Sequence, residues 1–127
     1  LRRQRQMCIR DRLKEKRNTM NDFDKIIWSD TLVLVEFFAS WCGPCRAMDP
    51  TVERFRRMMN GRAEVLRINI DDEQMLPIVR RYRIRTVPTL LLFHRGEERW
   101  RRSGITSYEE MAAALEQTEA LIHATPH

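Results

Sequence analysis

The sequence predicts an α/β domain, a central mixed sheet of four or five strands with helices on both faces, and three features of its pattern lead there. Strand-like and helix-like segments alternate from about residue 20 onward. The first strand-like run, Leu32-Val33-Leu34-Val35-Glu36-Phe37-Phe38, is apolar almost throughout, as expected of a central strand buried on both faces. The last two strand-like segments flank a tight turn, so they pair as a hairpin and the sheet is not wholly parallel.

The elements follow in order. Asp22 to Trp28 carries Phe23, Ile26 and Ile27 at helical spacing. The buried strand over 32–38 comes next. From Gly43 to Met59 the spacing is helical again, with Met48, Val52, Phe55 and Met59 on one stripe. Pro50 lies inside this helix and should kink it, because it lacks a backbone donor and crowds the preceding turn. Glu64 to Ile70 alternates Val65, Arg67 and Asn69 with Leu66, Ile68 and Ile70, the period of a strand. A short helix is expected from about Pro77, tolerated in a first turn, to Tyr82. Thr89 to Phe93 reads as the third strand, Arg95-Gly96-Glu97 as a tight turn, and Glu98 to Arg102 as a charged edge strand. Ser107 with Glu110 forms a capping box that opens the last helix, whose buried side carries Tyr108, Met111, Leu115 and Ile122. The order is αβαβαββα.

At 127 residues the chain holds one domain. Three cysteines cannot build a disulfide framework, so the fold rests on its core. No apolar run is long enough to span a membrane, and the first twenty residues contain no apolar stretch of the signal-peptide kind. The setting expected from this is cytoplasmic and reducing, with no membrane attachment. The net charge of +5 invites a nucleic-acid reading, but its distribution argues against one. Residues 1–17 hold eight Lys or Arg against Asp11 and Glu15, which leaves 15 of the 23 basic and 16 of the 18 acidic residues to the rest. The basic balance therefore belongs to the tail, and no nucleic-acid partner is inferred. Residues 1–19 are expected to be a non-native or disordered basic tail, with the folded domain over 20–127. The first dozen residues resemble a translated sequencing adaptor, which puts the expected start of translation near Met20; a solvated basic arm or a short extra helix is the alternative. Cys8 has no catalytic role on either reading.

Cys42-Gly43-Pro44-Cys45 is the constellation that carries chemistry. Such a pair also makes half of a zinc site, but structural zinc takes four ligands. There is no second pair, and His94, His123 and His127 are scattered, so no metal is inferred. The redox reading accounts for more. The pair falls between a buried strand and the start of a helix, where unpaired N–H groups and the positive dipole end favour thiolate over thiol. Cys42 is then the nucleophile, and Cys45, one turn on and facing inward, resolves the mixed disulfide. Glu36 is anomalous in its strand, because an unpaired buried charge costs several kcal/mol or shifts its pKa.

Val35-Glu36-Phe37-Phe38-Ala39-Ser40-Trp41-Cys42-Gly43-Pro44-Cys45 resembles the active-site segment of the thioredoxin family, and Pro50 resembles that family's helix kink. Tyr82, Ile84 and Thr86-Val87-Pro88-Thr89-Leu90-Leu91-Leu92-Phe93 resemble its cis-proline segment, followed by Gly96-Glu97 at the hairpin and Gly104 before the final helix. The likeness runs over about residues 21–122 and implies the thioredoxin fold. It implies that Pro88 is cis and faces the cysteine pair, and that the backbone of Val87 pairs with an extended stretch of a partner. Trp41, Gly43, Pro44, Val87, Pro88, Gly104 and Ile105 would form the contact surface around Cys42. Glu36 stands where the family generally has Asp, in the acid–base role toward Cys45. Arg67 stands where the family often has Lys; Arg keeps its proton and so can only tune Glu36.

The implied activity is reduction of protein disulfides through a reversible Cys42–Cys45 dithiol, with no bound cofactor and a separate flavin- and NADPH-dependent reductase to restore it. The chain is expected to be a monomer. An exported oxidoreductase whose leader is missing, and a binding module in which redox is incidental, stay open as alternatives. If the tail is not native, the edge strand that opens many thioredoxins is absent and the sheet has four strands. Arg80, Arg81, Arg83 and Arg85, with Arg99, Arg101 and Arg102, either form solvated faces or steer acidic partners.

Overall fold

A strand that is apolar on both sides has to be covered on both sides, and that requirement organises residues 19–124, which the computed structural model describes. The elements are α1 (Thr19–Ile27), β1 (Leu32–Phe38), α2 (Gly43–Met58), β2 (Ala63–Asn69), α3 (Leu76–Arg81), β3 (Thr89–His94), β4 (Glu97–Ser103) and α4 (Tyr108–Ala124). Among the described residues the sheet has four strands in the order β2-β1-β3-β4. β1 runs parallel to β2 and antiparallel to β3, and β3 pairs antiparallel with β4. The expected mixed sheet is therefore present. The expectations for residues 1–18, Cys8 included, lie outside the described residues.

Alternation along β1 divides the core in two. Val33, Val35 and Phe37 pack with Phe23, Ile26 and Ile27 of α1 and Ile78 of α3. Leu32 and Leu34 pack on the other face with Met48, Val52 and Phe55 of α2 and Met111 and Leu115 of α4. The stripe read from α2 is thus its buried face. Tyr82, just after α3, closes the first cluster by packing against Phe23 and Phe93, with ring centroids 5.8 and 5.1 Å away. β4 lies at the sheet edge with nearly every residue exposed, as its charges require.

Most element bounds move by a residue from the sequence reading, and two regions differ more substantially. α1 begins at Thr19 rather than Asp22. The short third helix spans Leu76–Arg81 and follows a separate 3-10 turn, Glu73–Met75. Asp72 caps that turn by accepting a hydrogen bond from the Gln74 N–H at 3.0 Å. This turn carries Met75 into the core.

The β3–β4 hairpin turns on Arg95 and Gly96, both at positive φ (50° and 81°), as the twist of a two-residue hairpin demands. Gly96 also donates its N–H to the Ile27 carbonyl at 2.9 Å. A Cβ on Gly96 would lie 2.3 Å from the Trp28 ring. Gly96→Ala is therefore expected to lower the free energy of unfolding by about 1–3 kcal/mol, read from urea denaturation. The loss should shrink when Trp28 is also replaced by Ala. An equal loss in both backgrounds would show that the ring does not set the cost.

Candidate active site

Strand directions gather four loops at one edge. β1 and β2 end together at Phe38 and Asn69, β3 enters the sheet there at Thr89, and β4 leaves there at Ser103. Open α/β sheets use this edge, outside the carboxyl ends of parallel strands, for their chemistry. Cys42 lies on the loop after β1, Asp71 after β2, Val87–Pro88 before β3, and Gly104–Ile105 after β4.

Cys42 is the N-cap of α2, with extended backbone (φ −85°, ψ 110°), and its Sγ accepts a hydrogen bond from the Cys45 N–H at 3.1 Å. A cap position normally takes a side-chain oxygen; here sulfur fills it, at the positive end of the helix dipole. Cys42 and Cys45 are joined in a disulfide, their Cα atoms 5.3 Å apart. Pro44 occupies the first helical turn, where a missing N–H costs nothing. Both cysteines are buried and pack with Ala39, against Phe38, Ile70 and Val87.

The surrounding loops are tied to this pair and to each other. The Val87–Pro88 peptide is cis, and Cys42 Sγ lies 3.7 Å from the Val87 carbonyl oxygen. Thr89 Oγ1 donates to the Thr86 carbonyl at 2.7 Å, which braces the same loop. Gly104 donates its N–H to the Pro88 carbonyl at 2.8 Å from a backbone at φ +90°. Two residues on, the Thr106 N–H approaches Met48 Sδ at 3.4 Å, which ties this loop to α2. The residues named from the sequence therefore fall into one neighbourhood. Trp41 (65% exposed), Ile105 (63%), Gly43 and Pro44 face solvent; Val87 and Gly104 are half-buried, and Pro88 is buried.

Glu36 is fully buried, on the face of β1 that α2 covers. Its Oε1 accepts from Arg67 Nε at 2.8 Å, and its Oε2 accepts no hydrogen bond from the described residues. Arg67 also donates through Nη2 to Asp49 Oδ1 on α2 at 2.9 Å and lies over the Phe38 ring, 4.3 Å from its centroid. Burial pushes the Glu36 carboxyl above its ordinary range, against the pull of Arg67.

Two residues of this region escaped sequence reasoning. Asp71 accepts the Trp41 indole N–H at 2.8 Å and fixes that exposed ring. Its signal was its position at the end of a parallel strand. Asp49, four residues after Cys45 and so on the same helix face, had only that spacing to mark it. Of the arginine groups, Arg81, Arg101 and Arg102 are paired with Asp24, Glu98 and Glu110, whereas Arg83 and Arg85 are exposed in the segment leading to Val87. Among the described residues, no three His, Cys, Asp or Glu side chains are grouped to hold a metal, and no helix is long and apolar enough to cross a membrane.

The raised Glu36 pKa has a consequence for stability. The folded chain holds this proton more tightly than the unfolded chain, whose value is near the ordinary 4.5. The linked stability is fully present below that pH and is lost as pH rises through the folded value. Glu36→Gln removes the titration, so urea unfolding from pH 4 upward should show the variant gaining on the parent as pH rises. A difference that stays constant with pH would refute the raised value.

The comparisons with known proteins agree with this geometry. The family model described as Thioredoxin matches residues 14–117. The thioredoxin of Rickettsia felis is 38% identical over 88 residues, which cover 68% of this chain and 82% of that one. Thioredoxin 1 of Chlorobaculum tepidum is 34% identical over 88 residues, covering 69% and 85%. Among solved structures, the germline-specific thioredoxin Deadhead of Drosophila melanogaster superposes with a TM-score of 0.66 at 30% identity, over 79% of this chain and 94% of that one. A disulfide-linked pair at a helix N-terminus, in this sheet and among these relatives, makes the chain a member of the thioredoxin family, a thiol–disulfide oxidoreductase of the disulfide-reductase type acting on disulfide-bearing proteins.

Proposed function

We propose that Cys42 attacks the substrate disulfide, that Cys45 resolves the mixed disulfide, and that Glu36 is the acid–base group serving Cys45. The observation that carries this reading is Cys42 at the head of α2, with its sulfur already accepting a helix N–H. Once the pair is reduced, the same N–H groups and dipole stabilise a Cys42 thiolate without any basic side chain beside it. The thiolate bonds to one substrate sulfur and the other leaves as a thiolate. Cys45 then gives its proton to Glu36 and bonds to Cys42 Sγ, which breaks the mixed disulfide and releases the second substrate sulfur. Glu36 returns the Cys45 proton to the second substrate thiolate and the first takes its proton from water, so the enzyme ends oxidised and the substrate is reduced by two electrons to a dithiol. Glu36 Oε2, which accepts no hydrogen bond, is the oxygen suited to carry the proton.

Trp41, Gly43, Pro44, Val87, Pro88, Gly104 and Ile105 form the substrate contact surface. Its support is the exposure of Trp41 and Ile105 beside the carbonyl of Val87, a backbone group that an extended substrate can bond. Reducing equivalents come from a separate flavin-dependent, NADPH-using reductase; the chain has no Gly-rich dinucleotide motif of its own. Every residue of the surface comes from one chain, so a monomer suffices, and a reducing pair suits the cytoplasm.

Insulin reduction monitored by turbidity tests the reading. Replacing Cys42 and Cys45 together by Ser should abolish turnover, whereas Cys45→Ser alone should accumulate a mixed disulfide with the substrate. Glu36→Gln should slow resolution by about 10- to 100-fold at neutral pH, at or below the low end for acid–base groups. Parental turnover by the double Ser variant would remove the Cys42–Cys45 pair as the redox centre, and parental turnover by Glu36→Gln would remove that residue from the mechanism.

A further inference from the structure

We infer that Asp49 is a positioning residue for the dithiol chemistry: by sharing the Arg67 guanidinium with Glu36, it keeps Arg67 from locking Glu36 as a carboxylate. The inference rests on the acid–base role proposed above for Glu36.

Guanidinium geometry carries the argument. Nε and Nη2 lie on one edge of the planar group, and this edge commonly grips a single carboxylate through two parallel hydrogen bonds. Here the edge is divided: Nε goes to Glu36 Oε1 at 2.8 Å and Nη2 to Asp49 Oδ1 at 2.9 Å. Glu36 Oε2, the atom a two-bond grip would occupy, is buried and accepts nothing from the described residues. The guanidinium carbon also lies over the Phe38 ring, 4.3 Å from its centroid, a contact that restrains Arg67 between the two acids.

The division matters because Arg67 cannot give up its charge. A full two-bond grip in this buried setting would favour the ionised Glu36 strongly and leave no oxygen for a proton. Asp49 takes one arm of the fork and adds a negative charge of its own, and both effects make protonation of Glu36 easier. The remaining charge acting on Glu36 is Arg56 of α2, itself bonded to Glu53; the partner of Glu36 on β3 is the apolar Leu90. Asp49 is therefore the acidic group in this set of charges. Its side chain is 41% exposed, against 25% for Arg67 and none for Glu36, so it can be changed without opening the core.

Carbon-detected NMR titration of the Glu36 carboxyl in the oxidised protein tests this, alongside the pH profile of insulin reduction. Asp49→Asn should move the Glu36 midpoint to lower pH, and the inflection of the rate profile should move with it. Asp49→Glu, which can still reach Arg67 and keeps the charge, should return both toward the parent. If Asp49→Asn leaves the Glu36 midpoint where it was, the inference is overturned and the role of Glu36 stands. If the midpoint moves but Glu36→Gln turns over at the parental rate, the Glu36 role fails and the inference falls with it. An Asp49→Asn chain that merely loosens α2 from β2 would lower its urea midpoint with both titrations unchanged, and that too overturns it.

Discussion

Because neither face of β1 reaches water, the four helices are committed to covering it. Helices α1 and α3 take the face of Val33, Val35 and Phe37; α2 and α4 take that of Leu32 and Leu34. The strand must also be paired on both edges, and β2 and β3 supply those ladders. With β2 parallel and β3 antiparallel to it, one strand end, one strand start and the carboxyl end of β1 meet. The reactive loop is therefore placed by burial alone, before any specific contact within the site is considered. A substitution that exposed one face of β1 would unsettle the core and the site together.

Glu36 is where that constraint is broken. An ionisable side chain in the middle of the most buried strand is costly unless it is paired, and half of this carboxyl is not. Local rules fail most often where function overrides packing. The answer found here is not a simple buried ion pair. Arg67 reaches inward to Glu36 and outward to Asp49, so one guanidinium, lying over the Phe38 ring, links the buried acid to one nearer solvent. Arginine serves the two acids through two separate nitrogens of a rigid fork, whereas an ammonium would have to serve both from one nitrogen.

Most of the fold was legible because its signals are local. A continuous apolar run, a change of period at Gly43, the turn at Arg95-Gly96 and the Ser107–Glu110 box each lie within a few residues. The cysteine pair and its place at a helix start were legible for the same reason. The contacts that were not legible join residues far apart in sequence: Trp41 with Asp71, Asp49 with Arg67, and Trp28 with Gly96. Nothing in the composition of either partner announces such a pairing; it exists only once strand order has brought the two segments together. The 3-10 turn ahead of α3 was not legible, because Pro77 marks a first turn without showing what precedes it. Even the buried Glu36 was legible as an anomaly, while its partner's second acid was not.

The position of Cys42 and Cys45 on the first turn of α2 bears on how the chain cycles. Residues three apart at the start of a helix are about one turn apart, and the observed Cα separation of 5.3 Å matches that spacing. The reach between the two sulfurs is therefore written into the helix start itself, and the bond between them closes a ring of only four residues rather than stapling distant parts of the chain.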